Sequence, residues 1–216
     1  MGLRRAAPSL THACEAGTGD WFPAAVAAPV HAAGVQPERH NCAPIDARQR
    51  LAPASLRAVS TPPDIALRPA RPGDLAALVA LEQTAFAYDR MSRRQYQRHL
   101  GSDRAILLVA ESAGELLGSA LLFLRRHSDL ARLYSLATAA ASRGRGVGRA
   151  LLSAIEALAI TRGIRRIRLE VRRDNTAAVA LYEGHGYRRV AALDAYYDDG
   201  ADAWRYEKTL PDPAQP

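Results

Sequence analysis

The run SRGRGVGRALL (142–152) sets three glycines at alternate positions among arginines and then turns apolar. In such a loop the backbone N–H groups are free to converge on one anion. The helix start that follows adds its own unpaired amides and the positive end of its dipole. Arg143, Arg145 and Arg149 place mobile positive charge around the same point. A diphosphate is the ligand this arrangement suits. Two residues further on could move protons. Glu170 closes the run IRRIRLE and could take a proton from an amine, directly or through water. Tyr182, a phenol with an ordinary pKa of ~10, could return one to a departing thiolate whose acid has a pKa of ~8.5. Asn175 precedes Tyr182 by seven residues, about two turns along one helix face. Blander roles stay open: Glu170 shares a strand face with Arg168 and could pair with it, and Tyr182 could simply pack its helix.

Two nucleotide-binding readings of the loop fail on its letters. The third glycine of a dinucleotide fingerprint would fall at Arg149, and the first glycine lies several residues beyond the preceding strand. A Walker loop needs Gly-Lys-Ser/Thr, which does not follow. A strand, loop and helix that grip a diphosphate by backbone amides remain.

The elements that must position these groups can be read from periodicity. IALRPA (65–70) is strand-like, and Asp74 is placed to cap a helix with Leu75, Leu78, Val79 and Phe86 on its apolar face. A short helix follows Ser92 and stops at Gly101. Residues 105–126 form a hairpin about Ser112-Ala113-Gly114, and ARLYSLAT (131–138) is a further strand. After the glycine loop comes a helix over about 146–162, with Leu151, Leu152, Ile155 and Leu158 on one face and Gly163 as its stop. Residues 164–171 alternate, with Ile167, Leu169 and Val171 opposite Arg166, Arg168 and Glu170. Asp174 and Asn175 open another helix through Tyr182, and strands near 187–193 and 203–210 end the domain. The order β-α-α-β-β-β-α-β-α-β-β predicts one mixed sheet with helices on its faces.

Composition bounds the rest. The formal charge of the 216-residue chain is +7, and of its 29 basic residues only Lys208 is a lysine. The arginines are spread along the chain rather than gathered in a stripe, so nucleic acid is not an expected partner. No apolar run approaches the ~18 residues of a membrane span. Cys14 and Cys42 are the only cysteines, which suits a reducing cytoplasm. Residues 1–63 are rich in Ala, Pro and Gly without a sustained period and are expected to be a disordered extension, with the folded domain over 64–211. His12, Cys14, His40 and Cys42 have the chemistry of a zinc set, but nothing around them supplies an ordered shell; no metal is expected.

Arg143-x-x-Gly146-x-Gly148 resembles the Arg/Gln-x-x-Gly-x-Gly/Ala motif of the GNAT N-acetyltransferases. The stretch RLEVRRDNTAAVALYEGHGY (168–187) is similar to the matching part of the ribosomal-protein-alanine N-acetyltransferases, the RimI type. The resemblance spans roughly 64–210. It implies an α/β fold with a mixed, mostly antiparallel sheet, helices on both faces, and two parallel strands splayed at an acetyl-CoA site. It further implies acetyl-CoA as co-substrate, held by the backbone of Leu136, Ala137 and Thr138, by the loop Arg143, Gly144, Arg145, Gly146, Val147, Gly148 and Arg149, and by Asn175 along the pantetheine. Glu170 stands where these enzymes place a general base and Tyr182 where they place a general acid. The acceptor would be a protein N-terminus or a small amine. YYDDGADA (196–203) is similar to the stretch beside the acceptor, whereas Ala139-Ala140-Ala141-Ser142 departs from the family's Asp-Pro-Glu/Asp-Tyr-like run. A copy kept only to bind acetyl-CoA should have lost Glu170 or Tyr182, and this chain has both. No oligomeric state follows from these residues.

Overall fold

The computed structural model describes residues 64–87 and 89–212. Residues 1–63 lie outside the described residues, and with them His12, Cys14, His40 and Cys42. The described elements are β1 (Ala66–Pro69), α1 (Leu75–Ala85), α2 (Arg93–His99), β2 (Ala105–Ser112), β3 (Glu115–Phe123), β4 (Leu130–Thr138), α3 (Val147–Thr161), β5 (Arg166–Arg172), α4 (Thr176–Gly184), β6 (Arg188–Leu193) and β7 (Ala203–Thr209). One seven-stranded sheet runs β1-β2-β3-β4-β5-β7-β6. Every neighbouring pair is antiparallel except β4 and β5, which are joined by α3.

The periodicities of the strands decide which face packs on what. On β2, Ile106, Leu108 and Ala110 join Leu122, Leu133, Ile167 and Leu169 beneath α3, which contributes Leu151, Leu152, Ile155 and Leu158. The alternate residues Leu107 and Val109 meet Leu75 and Leu78 of α1, with Met91 and Tyr96, on the other face. β2 is buried on both faces, so its sequence reads as an unbroken apolar run. Each fully buried leucine contributes roughly 1.5–3 kcal/mol relative to exposure, and the core under α3 takes in residues of both β4 and α3, so it anchors the two elements that the glycine loop joins.

Caps and turns follow local chemistry. Ser92 opens α2 through a reciprocal box with Gln95. Ala113 and Gly114, both at positive φ, turn β2 into β3. Asp74 occupies the cap position of α1, but its carboxylate accepts from Arg68 and from the Arg71 N–H rather than from the helix. It therefore ties the helix start to β1.

Two features shape the middle of the sheet. On β3, Leu121 lies opposite Ser135 and Leu122 opposite Leu133, so Tyr134 is an extra residue and β4 carries a bulge there. Before the bulge Leu133 faces the α3 core; after it Ser135 faces Glu82 of α1. Gly118 is the second. A Cβ there would lie 2.8 Å from the Ala137 carbonyl oxygen and 2.9 Å from Val147 Cγ1. Only glycine lets β3 press so closely on the end of β4 and the start of α3.

All the candidate acetyl-CoA and proton-transfer residues named above lie beyond position 63. A chain beginning at Asp64 is therefore expected to keep a cooperative melt and its affinity for acetyl-CoA. Calorimetry and thermal unfolding of that truncated chain check this; loss of either property assigns residues 1–63 a packing role.

Candidate active site

The parallel pairing of β4 and β5 ends at Leu133 opposite Leu169. Beyond it β4 keeps β3 on one side, through Thr138 opposite Gly118, but has no strand partner on the side of β5. A gap opens between the strands at the bulge. The backbone of Leu136, Ala137 and Thr138 lines its β4 edge, with peptide groups that need a partner. Glu170 is the first β5 residue past the end of the pairing.

The loop at the far end of β4 is built on a buried serine and two glycines. Ala140–Ser142 form a short 3₁₀ turn in which Ser142 is buried, its hydroxyl 2.9 Å from the Leu117 carbonyl and 2.8 Å from that of Ala139. This serine, in the stretch that departs from the family pattern, fastens the loop to β3. Gly144 and Gly146 then take left-handed φ of 77° and 79°, and Gly146 caps α3 with no side chain in the way. Arg143 and Arg149 are exposed beside it, and Val147 is buried as the helix's first anchor. Arg145 pairs with Asp64, the first described residue. Both partners are well exposed, so a diphosphate can exchange for this carboxylate at small cost.

Asn175 is the N-cap of α4: its Oδ1 accepts from the Ala178 N–H at 3.1 Å. The amide –NH₂ of the same side chain is the donor left for a pantetheine carbonyl. The loop, the free strand edge and Asn175 are the groups that could hold acetyl-CoA, from diphosphate to thioester.

Glu170 and Tyr182 lie on opposite faces of the sheet. Tyr182 belongs to the core under α3 and α4, 7% exposed, its ring meeting Tyr187 edge-on at 5.8 Å. Its hydroxyl makes no hydrogen bond among the described residues. Burial, and after it the neighbouring Tyr197, pushes the phenol well above its usual pKa, so it stays protonated. The side chain of Glu170 faces the other way and is 5% exposed. Its Oε2 accepts from Arg132 Nε and its Oε1 from Arg205 Nε, both at 2.8 Å. The Glu170–Arg168 pair that a shared face allowed does not form: Arg168 goes to Glu207 at 2.8 Å. Glu170 thus follows the last β5 residue paired with β4, on one face of the sheet, and the Tyr182 ring packs on the other.

On the same face as Glu170, two loops come together around Arg132 and Tyr134. Tyr196 and Tyr197, in the β6–β7 loop, stack edge-on at 5.2 Å, and Tyr196 accepts from Arg132 at 2.6 Å. Asp199 of the same loop pairs with Arg172 at 2.8 Å. Asp198 comes close to Asp89 of the α1–α2 loop; burial and then this neighbour raise the Asp89 carboxyl above its usual range. Tyr134, displayed by the bulge, is 40% exposed between them and packs on Phe123 at 5.0 Å. Beneath lies Glu82, 2% exposed, whose carboxylate accepts from the Met91 N–H at 2.9 Å and from Tyr96 Oη at 2.8 Å. It fastens the α1–α2 loop from inside. A charged residue in the stripe of Leu75, Leu78 and Leu81 was its signal in the sequence.

The chain matches the acetyltransferase (GNAT) family over residues 75–187, just over half its length. An acetyltransferase of Pectobacterium atrosepticum is 39% identical over 97 residues, covering 45% of this chain and 67% of that protein. The mycothiol acetyltransferase of Kineococcus radiotolerans is 38% identical over 145 residues, 63% of this chain but only 46% of its own length. The crystal structure of the ribosomal-protein-S18-alanine N-acetyltransferase of Escherichia coli aligns with a TM-score of 0.63 and 27% identity, over 70% of this chain and 97% of that one. Ard1 of Thermoplasma volcanium aligns at 0.62 and 25%, over 69% and 99%. The matched span holds the bulged strand, the glycine loop, both flanking helices and the two proton-transfer candidates, and the chain belongs to the acetyltransferase (GNAT) family, with acetyl-CoA as its acetyl donor.

Proposed function

We propose that this acetyltransferase modifies the α-amine at a protein N-terminus, with Glu170 as general base and Tyr182 as general acid. The observation that carries the reading is the gap between β4 and β5, with a buried carboxylate on one face and, on the other, a buried tyrosine whose hydroxyl has no hydrogen-bond partner among the described residues. Acetyl-CoA supplies the thioester carbonyl and, on cleavage, a thiolate. A free amide on the unpaired edge of β4 can receive the carbonyl oxygen without reorganisation. As the amine nitrogen bonds the carbonyl carbon, its proton passes to Glu170; as the C–S bond breaks, Tyr182 gives its proton to sulfur. Exchange with water then restores both groups. A carboxylate oxygen has two lone pairs, and on Glu170 one of each is taken by an arginine. One remains on each oxygen, in a setting too closed for a bulky amine, which suits transfer through a bridging water.

The α-amine is the easier acceptor. At pH 7 its deprotonation costs ~1.4 kcal/mol, against ~4.6 kcal/mol for a lysine side chain. The similarity to the S18-alanine N-acetyltransferase supports the same class. The scarcity of cysteine supports the cytoplasm as the place of action. One observation favours a second reading, a small polycationic amine: Asp89 and Asp198 meet at the acceptor mouth. A panel of free N-terminal peptides, N-terminally capped lysine peptides and spermidine, assayed with labelled acetyl-CoA, separates the two. We expect free α-amines to react on the order of 10² faster than capped lysine peptides at pH 7 and to outpace spermidine. Preference for spermidine would give the site to small amines.

A further inference from the structure

Glu170 does not stand alone at the lip of the gap. Arg132 lies on β4 directly opposite Arg168 of β5, and Arg168 is directly opposite Glu207 of β7. The three side chains share the sheet face away from α3. Because Arg168 is engaged by Glu207, Arg132 turns along its strand to Glu170. Its Nε donates to Glu170 Oε2 at 2.8 Å and its Nη2 to Tyr196 Oη at 2.6 Å. One planar guanidinium thus spans two groups that are 26 positions apart in the chain. Arg205 fixes the second oxygen of Glu170 and lies close enough to Tyr196 to act on it electrostatically, but among the described residues the hydrogen bond to the Tyr196 hydroxyl comes from Arg132. Burial opposes the charge on Arg132, yet Glu170 and Tyr196 outweigh it and raise its pKa, so the fork stays cationic.

We propose that Arg132 is a positioning residue, whose guanidinium sets the Glu170 carboxylate and the Tyr196-bearing acceptor loop in one geometry. This rests on the reading of Glu170 as the proton acceptor. Arginine is required by the geometry: its donors are held in a plane, so one contact orients the other. A lysine ammonium keeps the charge but offers no such fork. The surface of the acceptor loop and the direction of proton removal are thereby coupled, and a bound amine meets the carboxylate only when Tyr196 is held.

The test is a double-mutant cycle read in kcat, acceptor KM and acetyl-CoA affinity, with Arg132→Met and Glu170→Gln made singly and together. Arg132→Met should lower kcat by about 10²-fold, the scale of a misplacement near 1 Å, and raise acceptor KM. Acetyl-CoA affinity should stay within about twofold, since the donor contacts lie elsewhere. In the Glu170→Gln background the same change should cost little more in kcat, because the carboxylate it positions is gone, while the rise in acceptor KM should persist because the Tyr196 loop is still released. Arg132→Lys should fall between wild type and Arg132→Met. Wild-type kcat and KM in Arg132→Met would overturn the proposal, as would an equal loss of kcat in both backgrounds. If Arg132→Met lost acetyl-CoA affinity through misfolding, Arg132→Lys decides: full activity there overturns the proposal, and an acceptor-side defect alone upholds it. Normal turnover in Glu170→Gln would remove the base assignment itself, a result distinct from failure of Arg132 alone.

Discussion

Replacing Tyr182 by phenylalanine is expected to lower turnover by ~10²–10⁴, the usual span for losing a positioned acid, with acetyl-CoA affinity nearly unchanged. The substitution preserves the ring that meets Tyr187 and removes only a hydroxyl. That hydroxyl has no hydrogen-bond partner among the described residues, so its loss orphans nothing in the free protein. Stability should therefore hold, which makes the kinetic loss readable as chemistry. Steady-state kinetics paired with calorimetry on the variant checks this. Near-normal turnover would leave Tyr182 as a packing residue.

Gly146→Asp is expected to weaken acetyl-CoA binding by at least about 10²-fold. Gly146 caps α3 at a φ of 79°, where a side chain of ordinary chirality costs roughly 1–2 kcal/mol. Its carboxylate would also stand where the helix start and the loop amides favour a negative ligand. Arg145→Ala is the contrast. Arg145 is exposed and already shared with Asp64, so its loss should cost no more than ~1 kcal/mol of binding. Titration of both variants with acetyl-CoA tests whether backbone or charge dominates. Equal, small losses would take the diphosphate away from this loop.

Much of this arrangement was legible in the sequence because it is local. The alternation of Ile167, Leu169 and Val171 against Arg166, Arg168 and Glu170 fixes the two faces of β5, and the stripe of Leu151, Leu152, Ile155 and Leu158 orients α3. The glycines at 144 and 146 mark the loop, and their left-handed φ values are what the structure adds. What was hidden depends on pairing between distant segments. The bulge at Tyr134 arises from the register of β4 against β3, which neither strand specifies alone. Glu170 meets Arg205 because the sheet order places β7 beside β5, and it meets Arg132 because β4 runs parallel on the other side. Sequence spacing pointed instead to Arg168, two residues away on the same face. Ser142 was read as a departure from a pattern, and its hold on Leu117 appears only when β3 lies alongside.

The roles proposed for Glu170 and Tyr182 are tested most directly by the pH dependence of kcat for Glu170→Gln and Tyr182→Phe, measured side by side from about pH 6 to pH 10. Below the pKa of the amine, ~8, most acceptor is protonated, so loss of the base should hurt most there. Rising pH lets solvent remove that proton, and Glu170→Gln should regain much of its turnover. Tyr182→Phe should not recover, because its defect lies in protonating the leaving sulfur. The wild type should show no descending limb from Tyr182 in this range: burial raises its pKa above the ordinary ~10, so it remains a proton donor throughout. We expect divergent profiles, with recovery confined to Glu170→Gln. Parallel profiles for the two variants would contradict the assignment of base to one face of the gap and acid to the other.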